Sequence, residues 1–195
     1  MEGKVRIKDT KVVSDKFYTL KDIKFAFINK QGQEEEKNHE VFDIGNAVTA
    51  LLYNRSRRTV LLVRQFRLVA FLYHDADGLL LETCAGKIDK EQPDEAIRRE
   101  IEEEMGYKVK KVEKVLEAYT TPGSVCEYMY FYVAEYTEQM KTGEGGGLPS
   151  EQEEVQVVEI AFEEALAMTR NGRIRDAKTI LLLQYAQIQG LLKAE

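Results

Sequence analysis

Cysteine and histidine are scarce in this sequence, which restricts the metal and thiol chemistry it can support. It contains two of each, namely Cys84, Cys126, His39 and His74. Their spacing fits no zinc site, and neither histidine stands in an evident relation to a cysteine. We therefore interpret both cysteines as small buried packing residues rather than as nucleophiles.

Long apolar runs are absent as well. The N-terminal segment MEGKVRIKDT has no apolar stretch of the kind that a signal peptide needs. No run elsewhere approaches the roughly 20 residues of a membrane-spanning helix. Together with the low cysteine content, this predicts a reduced cytoplasmic setting and no membrane partner.

An excess of positive charge is also missing, since 34 acidic residues outnumber 28 basic ones and give a net charge of -6. Such a chain has no general attraction for polyanions, so we expect no nucleic-acid partner. A phosphate-bearing ligand must then be bound locally, by metal ions or by a few arginines.

The 195 residues exceed the commonest domain size of about 100 to 150 residues, and the chain changes pattern near residue 45. Residues 1–45 contain three short β-type runs, and three strands alone barely stabilise themselves. We expect this N-terminal antiparallel β unit to lean on the rest of the chain or on a second copy in a homodimer. The main domain then covers residues 46–195.

Within residues 46–195, β-type and helical patterns alternate. Apolar runs at 47–53 and 59–66 flank a polar turn, which predicts a hairpin. Pro93 and Gly106 suit the start and the end of a helix, which predicts a helix over 93–105. Further strands are expected at 111–119, 128–136 and 155–160, and helices at 162–170 and from about Asp176. The glycine-rich acidic stretch 141–154 is expected to be mobile, and the whole pattern favours an α+β fold.

The helix predicted over 93–105 separates apolar from acidic side chains. At about 100° per residue, its apolar stripe consists of Ile97, Ile101 and Met105. A neighbouring acidic cluster consists of Glu100, Glu103 and Glu104, whereas Glu102 points elsewhere. Like charges at this spacing destabilise a helix by a few tenths of a kcal/mol per pair, and a cation relieves that cost. Carboxylates suit Mg²⁺ and Mn²⁺, although a solvated acidic face has the same pattern.

The segment from Gly86 to Tyr107 resembles the Nudix box of the nucleoside-diphosphate-linked hydrolases. Its second half, from Arg99-Glu100 through Glu103-Glu104 to Gly106-Tyr107, matches that signature at every position. The first half has four residues instead of five between Gly86 and Glu91, or else Gln92 takes the place of the glutamate. This shorter spacing leaves open whether Glu91 pairs with Arg99, as the box glutamate usually does.

The resemblance extends over nearly the whole chain. Arg64-Gln65-Phe66-Arg67, Thr121-Pro122-Gly123 and the segment 174–179 are similar to the ADP-ribose and nucleotide-sugar pyrophosphatase branch, and within it to the GDP-mannose pyrophosphatases. The fold that this implies is an α/β/α sandwich with a mixed central sheet. The branch also implies a homodimer whose N-terminal strands reach the partner's site.

The same resemblance implies a metal site with two or three Mg²⁺ ions, replaceable by Mn²⁺, around the substrate diphosphate. The implied ligands are Glu100, Glu103, Glu104, Glu153 and the backbone carbonyl of Ala85. Glu153 is also the implied catalytic base, with Glu151 as the alternative. For both residues the other interpretation is a solvated loop acid. Glu103 lies at the edge of the cluster and is placed either among the ligands or beside them with a part in catalysis.

Substrate contacts are implied at several further positions. Arg67 is expected to bind phosphate, with a structural salt bridge as the alternative, and Lys178 to bind substrate, with solvent exposure as the alternative. Other contacts are implied at Gly86, Lys87, Glu104 and Glu127. Phe17 or Tyr18 is expected to stack on the base from the partner chain, or to be plain strand packing. Asn38 and His39 are neutral where similar proteins carry basic residues, so the choice of nucleotide stays open.

We therefore expect a Mg²⁺-dependent hydrolase that cleaves the diphosphate of a nucleotide sugar. GDP-mannose, giving GMP and mannose 1-phosphate, is the first expectation. ADP-ribose, giving AMP and ribose 5-phosphate, is the alternative. A catalytically inactive nucleotide-binding Nudix module is a third reading, and the intact run from Arg99 to Gly106 argues against it.

Overall fold

Two β-sheets organise the chain in the computed structural model, which describes residues 4–73, 77–148 and 154–193. In chain order the strands are β1 (Val5–Asp15), β2 (Thr19–Ile28), β3 (Glu34–Asp43), β4 (Ala47–Asn54), β5 (Thr59–Phe66), β6 (Leu79–Glu82), β7 (Cys84–Lys87), β8 (Glu113–Tyr119), β9 (Val125–Cys126), β10 (Tyr128–Glu135) and β11 (Val155–Ala161). The helices are α1 (Leu68–Tyr73), α2 (Pro93–Met105), α3 (Phe162–Arg170) and α4 (Ala177–Gln189). A 3₁₀ turn lies at Glu138–Met140. No helix in the described ranges is long and apolar enough to cross a bilayer.

The chain divides into two compact units. The smaller unit contains the residues up to Asn46 together with Ala118–Met129, and the larger unit contains Ala47–Glu117 together with the residues from Tyr130 onward. The first division falls beside the pattern change near residue 45. The inclusion of Ala118–Met129 in the smaller unit was not expected from the sequence.

The smaller unit is built on a four-stranded sheet in the order β1-β2-β3-β9. The first three strands are antiparallel, but β9 pairs with β3 in parallel, so the unit is not purely antiparallel. Asn29 closes the β2–β3 turn, because its side-chain oxygen accepts hydrogen bonds from the backbone of Gln31 and Gln33 at 2.9 Å each. β1 is exposed along nearly its whole length, so this sheet buries little apolar surface.

The larger unit holds a seven-stranded sheet. Five of its strands follow the order β11-β5-β4-β10-β8, and β6 and β7 pair beside this path. The predicted hairpin is present, since Leu52–Asn54 of β4 pair with Thr59–Leu61 of β5. Beyond this hairpin, β5 pairs with β6 and β4 pairs with β7. The segment 79–87, expected only as a run that ends in a glycine loop, therefore forms two four-residue strands.

Helices cover both faces of this sheet, and all eight residues of β4 are buried as a result. α2 packs its apolar stripe on alternate residues of β4 and β5, including Val48, Leu52 and Val63. α3 contacts β5 and α4 contacts β4, on the face to which the intervening side chains point. This confirms the predicted α/β/α sandwich.

Two features differ from the sequence predictions. The six residues of α1, LVAFLY, are all apolar, so they lack the one-sided apolar pattern by which a helix is recognised, and none of them is buried. Cys84 is buried as predicted, and burial raises the pKa of its thiol. Cys126, however, is exposed, because it lies on the short strand β9. The prediction that both cysteines are buried is therefore wrong for Cys126.

Candidate active site

The helix that carries the acidic cluster has the predicted bounds. Pro93 occupies its first turn, and Gly106 ends it with a φ of 73°, a left-handed conformation that glycine adopts without strain. Its stripe of Ile97, Ile101 and Met105 is fully buried. Because this stripe is fully buried, the acidic side chains next to it lie at the edge of the core.

Glu100 lies directly against the backbone of Gly86 in β7. A Cβ atom at position 86 would stand 1.9 Å from the Glu100 carboxylate oxygen Oε1, which no side chain tolerates. Glu100 is only 7% exposed. The glycine of the box therefore leaves room for the buried carboxylate.

Glu104 contacts Ala85, the residue before Gly86 in β7. The backbone N–H of Ala85 donates to Oε2 of Glu104 at 3.2 Å, and Glu104 is 1% exposed. Glu100 and Glu104 thus converge on Ala85-Gly86 and present carboxylate oxygens beside a strand backbone. Oxygen donors of these types are those that Mg²⁺ prefers, so the residues present suit such an ion.

Glu103 has different neighbours from Glu104. Arg99 Nη1 contacts Glu103 Oε2 at 2.8 Å and Glu100 Oε1 at 2.9 Å, while Nη2 contacts Glu91 Oε1 at 2.7 Å. Hydrogen bonding to Glu91 is the main cause that raises the pKa of Arg99. Glu91 therefore pairs with Arg99 despite the shortened spacing. Within the described residues, no three acidic, histidine or cysteine side chains already form a closed metal cage.

A second charged cluster surrounds Glu82, the last residue of β6. Arg67 donates to it through Nε and Nη2 at 2.8 Å each, and Lys178 donates through Nζ at 2.5 Å. Glu82 is 2% exposed. Burial alone would raise its pKa, but the bonds and charges of Arg67 and Lys178 outweigh burial and lower the pKa to about 2. Arg67 is thus in a salt bridge, one residue beyond β5, and Lys178 is not solvent-exposed.

Buried threonines tie this cluster to the start of α4. Asp176 caps the helix, since its Oδ2 accepts the backbone N–H of Thr179 at 2.9 Å. The Thr179 hydroxyl in turn accepts the backbone N–H of Thr83 at 2.7 Å, and Thr83 lies 2.8 Å from the hydroxyl of Thr49. Thr83 lies between Glu82 of this cluster and Ala85 beside Glu104. The hydrogen bonds of the threonines therefore fix the short segment that connects the two charged clusters.

The glycine-rich stretch after the 3₁₀ turn caps the far end of α2. The N–H groups of Thr142 and Gly143 donate to the carbonyl of Gly106, that of Gly146 to Glu104 and that of Gly147 to Glu103. The last carbonyls of a helix have no partners within it, and the stretch supplies them. Residues 142, 143, 146 and 147 of the stretch that was expected to be mobile are therefore hydrogen-bonded to the end of α2, and residues 149–153 lie outside the described residues.

Four predicted nucleotide contacts lie on the smaller unit, three of them in aromatic contacts. Phe17 is 81% exposed and meets Tyr18 edge-on at 4.7 Å between ring centroids. Tyr18 contacts Phe42 in the same way. His39 on β3 packs edge-on against Phe25 at 5.1 Å, and Asn38 beside it is exposed.

Four other predicted positions complete the list. Glu127, also on the smaller unit, accepts a hydrogen bond from the Thr120 hydroxyl. Lys87 ends β7 and is exposed. Glu151 and Glu153, the candidate bases, lie outside the described residues.

The sequence reasoning missed Glu82 and the threonines at 49, 83 and 179. The available signal was weak: Glu82 is a lone acid that ends the apolar run LLLE. A buried charged residue needs ion-pair or hydrogen-bond partners, but no local sequence pattern identifies those of Glu82.

A family model described as the NUDIX domain matches residues 43–183. The chain belongs to the Nudix family. A second model, described as the GDP-mannose pyrophosphatase NudK N-terminal domain, matches residues 4–42. The two matches meet close to the division between the two units.

Similar proteins cover this Nudix chain almost completely. A GDP-mannose pyrophosphatase of Enterobacter sp. (strain 638) is 43% identical over 192 residues, covering 98% of this chain and 100% of the relative. Its counterpart from Yersinia enterocolitica is 46% identical over 193 residues, with 99% and 100% covered. A solved structure described as an ADP compounds hydrolase superposes with a TM-score of 0.72 at 18% identity, covering 98% of this chain and 97% of the other. At that identity the last match shows a shared fold.

Proposed function

We propose that this Nudix protein hydrolyses GDP-mannose to GMP and mannose 1-phosphate in a Mg²⁺-dependent reaction. The observation that carries the chemistry is the convergence of the buried carboxylates of Glu100 and Glu104 on Ala85-Gly86. The choice of substrate rests on full-length relatives that are named for that activity.

Glu100, Glu104 and the carbonyl of Ala85 would hold the metal, two or three ions in all, with Glu153 as a further ligand. Bound Mg²⁺ supplies positive charge that neutralises the diphosphate and favours deprotonation of water at neutral pH. Arg99 fixes Glu100 and Glu103 in place through its contacts at 2.9 and 2.8 Å. Glu103 is then either a further metal ligand or a residue beside the ligands that takes part in catalysis.

The remaining residues bind the substrate and move the proton. Glu153, or Glu151 in its place, accepts the proton of the attacking water as the P–O bond to the bridging oxygen breaks. Arg67 and Lys178 bind phosphate oxygens, and Gly86, Lys87 and Glu127 provide further contacts. Phe17 or Tyr18 of the partner chain stacks on the base, and Asn38 and His39 take part in nucleotide binding.

A homodimer and a cytoplasmic setting belong to the same proposal. Apolar side chains of the smaller unit, among them Val5, Ile7, Val12 and Val13, are exposed, and a second copy would cover them. Sedimentation that finds a monomer at working concentration would remove the dimer. Both cysteines are free thiols, which suits a reducing compartment, and cell fractionation tests that setting.

The experiment that tests the function offers equimolar GDP-mannose and ADP-ribose in one tube with Mg²⁺, with and without EDTA. Chromatographic separation should show GMP and mannose 1-phosphate first, and no product with EDTA. AMP appearing first would keep the Nudix chemistry and overturn the substrate. No EDTA-sensitive product would favour a nucleotide-binding module.

A further inference from the structure

We infer that Glu82 is a positioning residue that orients the Arg67 guanidinium toward the substrate diphosphate, with Lys178 as the counter-charge that keeps this arrangement intact. The inference rests on the proposed function and assigns a part in it to a residue outside the metal cluster and the base.

The first support is the geometry of the Arg67–Glu82 pair. Both oxygens of Glu82 are engaged side-on by Nε and Nη2 of Arg67 at 2.8 Å each, which fixes the plane of the guanidinium. Arg67 is still 44% exposed as a side chain, while Glu82 is 2% exposed. In the ranges 4–73, 77–148 and 154–193, the Nη1 atom of Arg67 has no acceptor. The pair therefore leaves one guanidinium edge available for an oxyanion.

The second support is the arrangement of charge. Lys178 Nζ contacts Glu82 at 2.5 Å and Asp176 at 3.0 Å, and its side chain is 12% exposed. Asp176 is already occupied by the capping bonds of Thr179. Lys178 thus compensates buried acids, and Arg67 is the more exposed cation of this cluster.

The third support is the position of the cluster beside the metal-type carboxylates. Only Thr83 and Cys84 separate Glu82 from Ala85. Hydrogen bonding to Glu82 is the main cause that raises the pKa of Arg67, and the charge of Glu104 contributes to the same shift. A diphosphate held through Mg²⁺ at Glu100 and Glu104 would therefore lie within the electrostatic reach of Arg67.

A purely structural role explains this cluster poorly. Replacing a buried ion pair by apolar side chains of similar size is often neutral or stabilising, so the fold alone does not require a carboxylate at position 82. A carboxylate that fixes an exposed arginine is explained by recognition of phosphate oxygens through the remaining N–H groups of the planar guanidinium.

The test compares kcat and KM of Glu82→Gln with wild type, at saturating Mg²⁺, on whichever of GDP-mannose and ADP-ribose the wild type cleaves. Glutamine keeps the volume but gives Arg67 only one acceptor oxygen, so KM should rise about tenfold while kcat changes less than about threefold. Glu82→Asp should recover part of the loss. The matched control is Glu159→Gln, which removes a partner of Arg57 at 2.8 Å in a different ion-pair cluster and should leave both constants unchanged.

A second variant separates positioning from stability. In an Arg67→Gln background, Glu82→Gln should raise KM no further, because the residue acts through Arg67. A further rise of similar size in that background, or an unchanged KM in the single variant, would overturn the inference.

If wild type cleaves neither diphosphate, the proposed function fails, and calorimetric binding of GDP then tests the positioning role of Glu82. Weaker binding of GDP by Glu82→Gln than by wild type supports that role, and equal binding refutes it.

Discussion

The carboxylate of Glu100 occupies the space that a side chain at Gly86 would need, with only 1.9 Å between Oε1 and an ideal Cβ at position 86. The two residues are on different elements, β7 and α2, and their fit brings the acidic helix against the strand. The glycine at the start of the box and the glutamate near its end are therefore one steric unit.

Gly86→Ala should consequently displace Glu100 and weaken metal binding. We expect the Mg²⁺ concentration for half-maximal activity to rise by at least about tenfold, the range in which partners of metal ligands act. Gly143→Ala is the control, because an added Cβ there meets no atom within 4 Å and the backbone φ is not left-handed. A Mg²⁺ titration of both variants checks this, and equal titration curves would contradict it.

The acidic cluster also predicts a contrast within α2. Glu104→Gln removes a charge from a carboxylate that is 1% exposed beside Ala85, whereas Glu102→Gln changes an exposed residue whose nearest cation, Lys108, is 3.9 Å away. We expect the first change to lower kcat/KM by about a hundredfold or more and the second to have no measurable effect. Steady-state kinetics with circular dichroism as the folding control decides between them, and similar losses in the two variants would speak against a metal site here.

Local rules were sufficient for α2 and for the acidic cluster. Pro93 and Gly106 mark its ends by backbone chemistry that needs no tertiary partner, and Ile97, Ile101 and Met105 follow one face by periodicity alone. The stripe is buried as predicted, so the cluster beside it is at the edge of the core.

The choice of ion-pair partners could not be read from the sequence. Glu82 meets Arg67 15 residues away and Lys178 96 residues away, and no local pattern joins them. β6 and β7 have four residues each, which is too short for a period to emerge. Glu103 turns to Arg99 and Glu104 to Ala85 because β7 packs on one side of α2 only, a fact of tertiary structure.

The glycine-rich stretch predicts a second effect of close packing. Gly145 has a φ of 68°, and a Cβ there would stand 2.3 Å from the carbonyl oxygen of Glu104. Gly145→Ala should therefore destabilise the protein by roughly 2–4 kcal/mol through strain and displacement of the helix end. Gly32→Ala has a similar φ of 81° with no atom within 4 Å, so it should cost only about 1 kcal/mol. Chemical denaturation measures both, and equal losses would mean that the close approach is unimportant.

Glu82 predicts how stability depends on acid. Its pKa of about 2 in the folded protein lies below the ordinary value of 4.5, so the folded state binds this proton more weakly than the unfolded state. The resulting stabilisation, roughly 3 kcal/mol, is present in full above about pH 5 and is lost as the pH falls from there toward 2. Glu82→Gln should therefore flatten the loss of unfolding free energy between pH 5 and pH 2. Denaturation at several pH values tests this, because an unchanged slope in the variant would mean that Arg67 and Lys178 do not hold the carboxylate ionised.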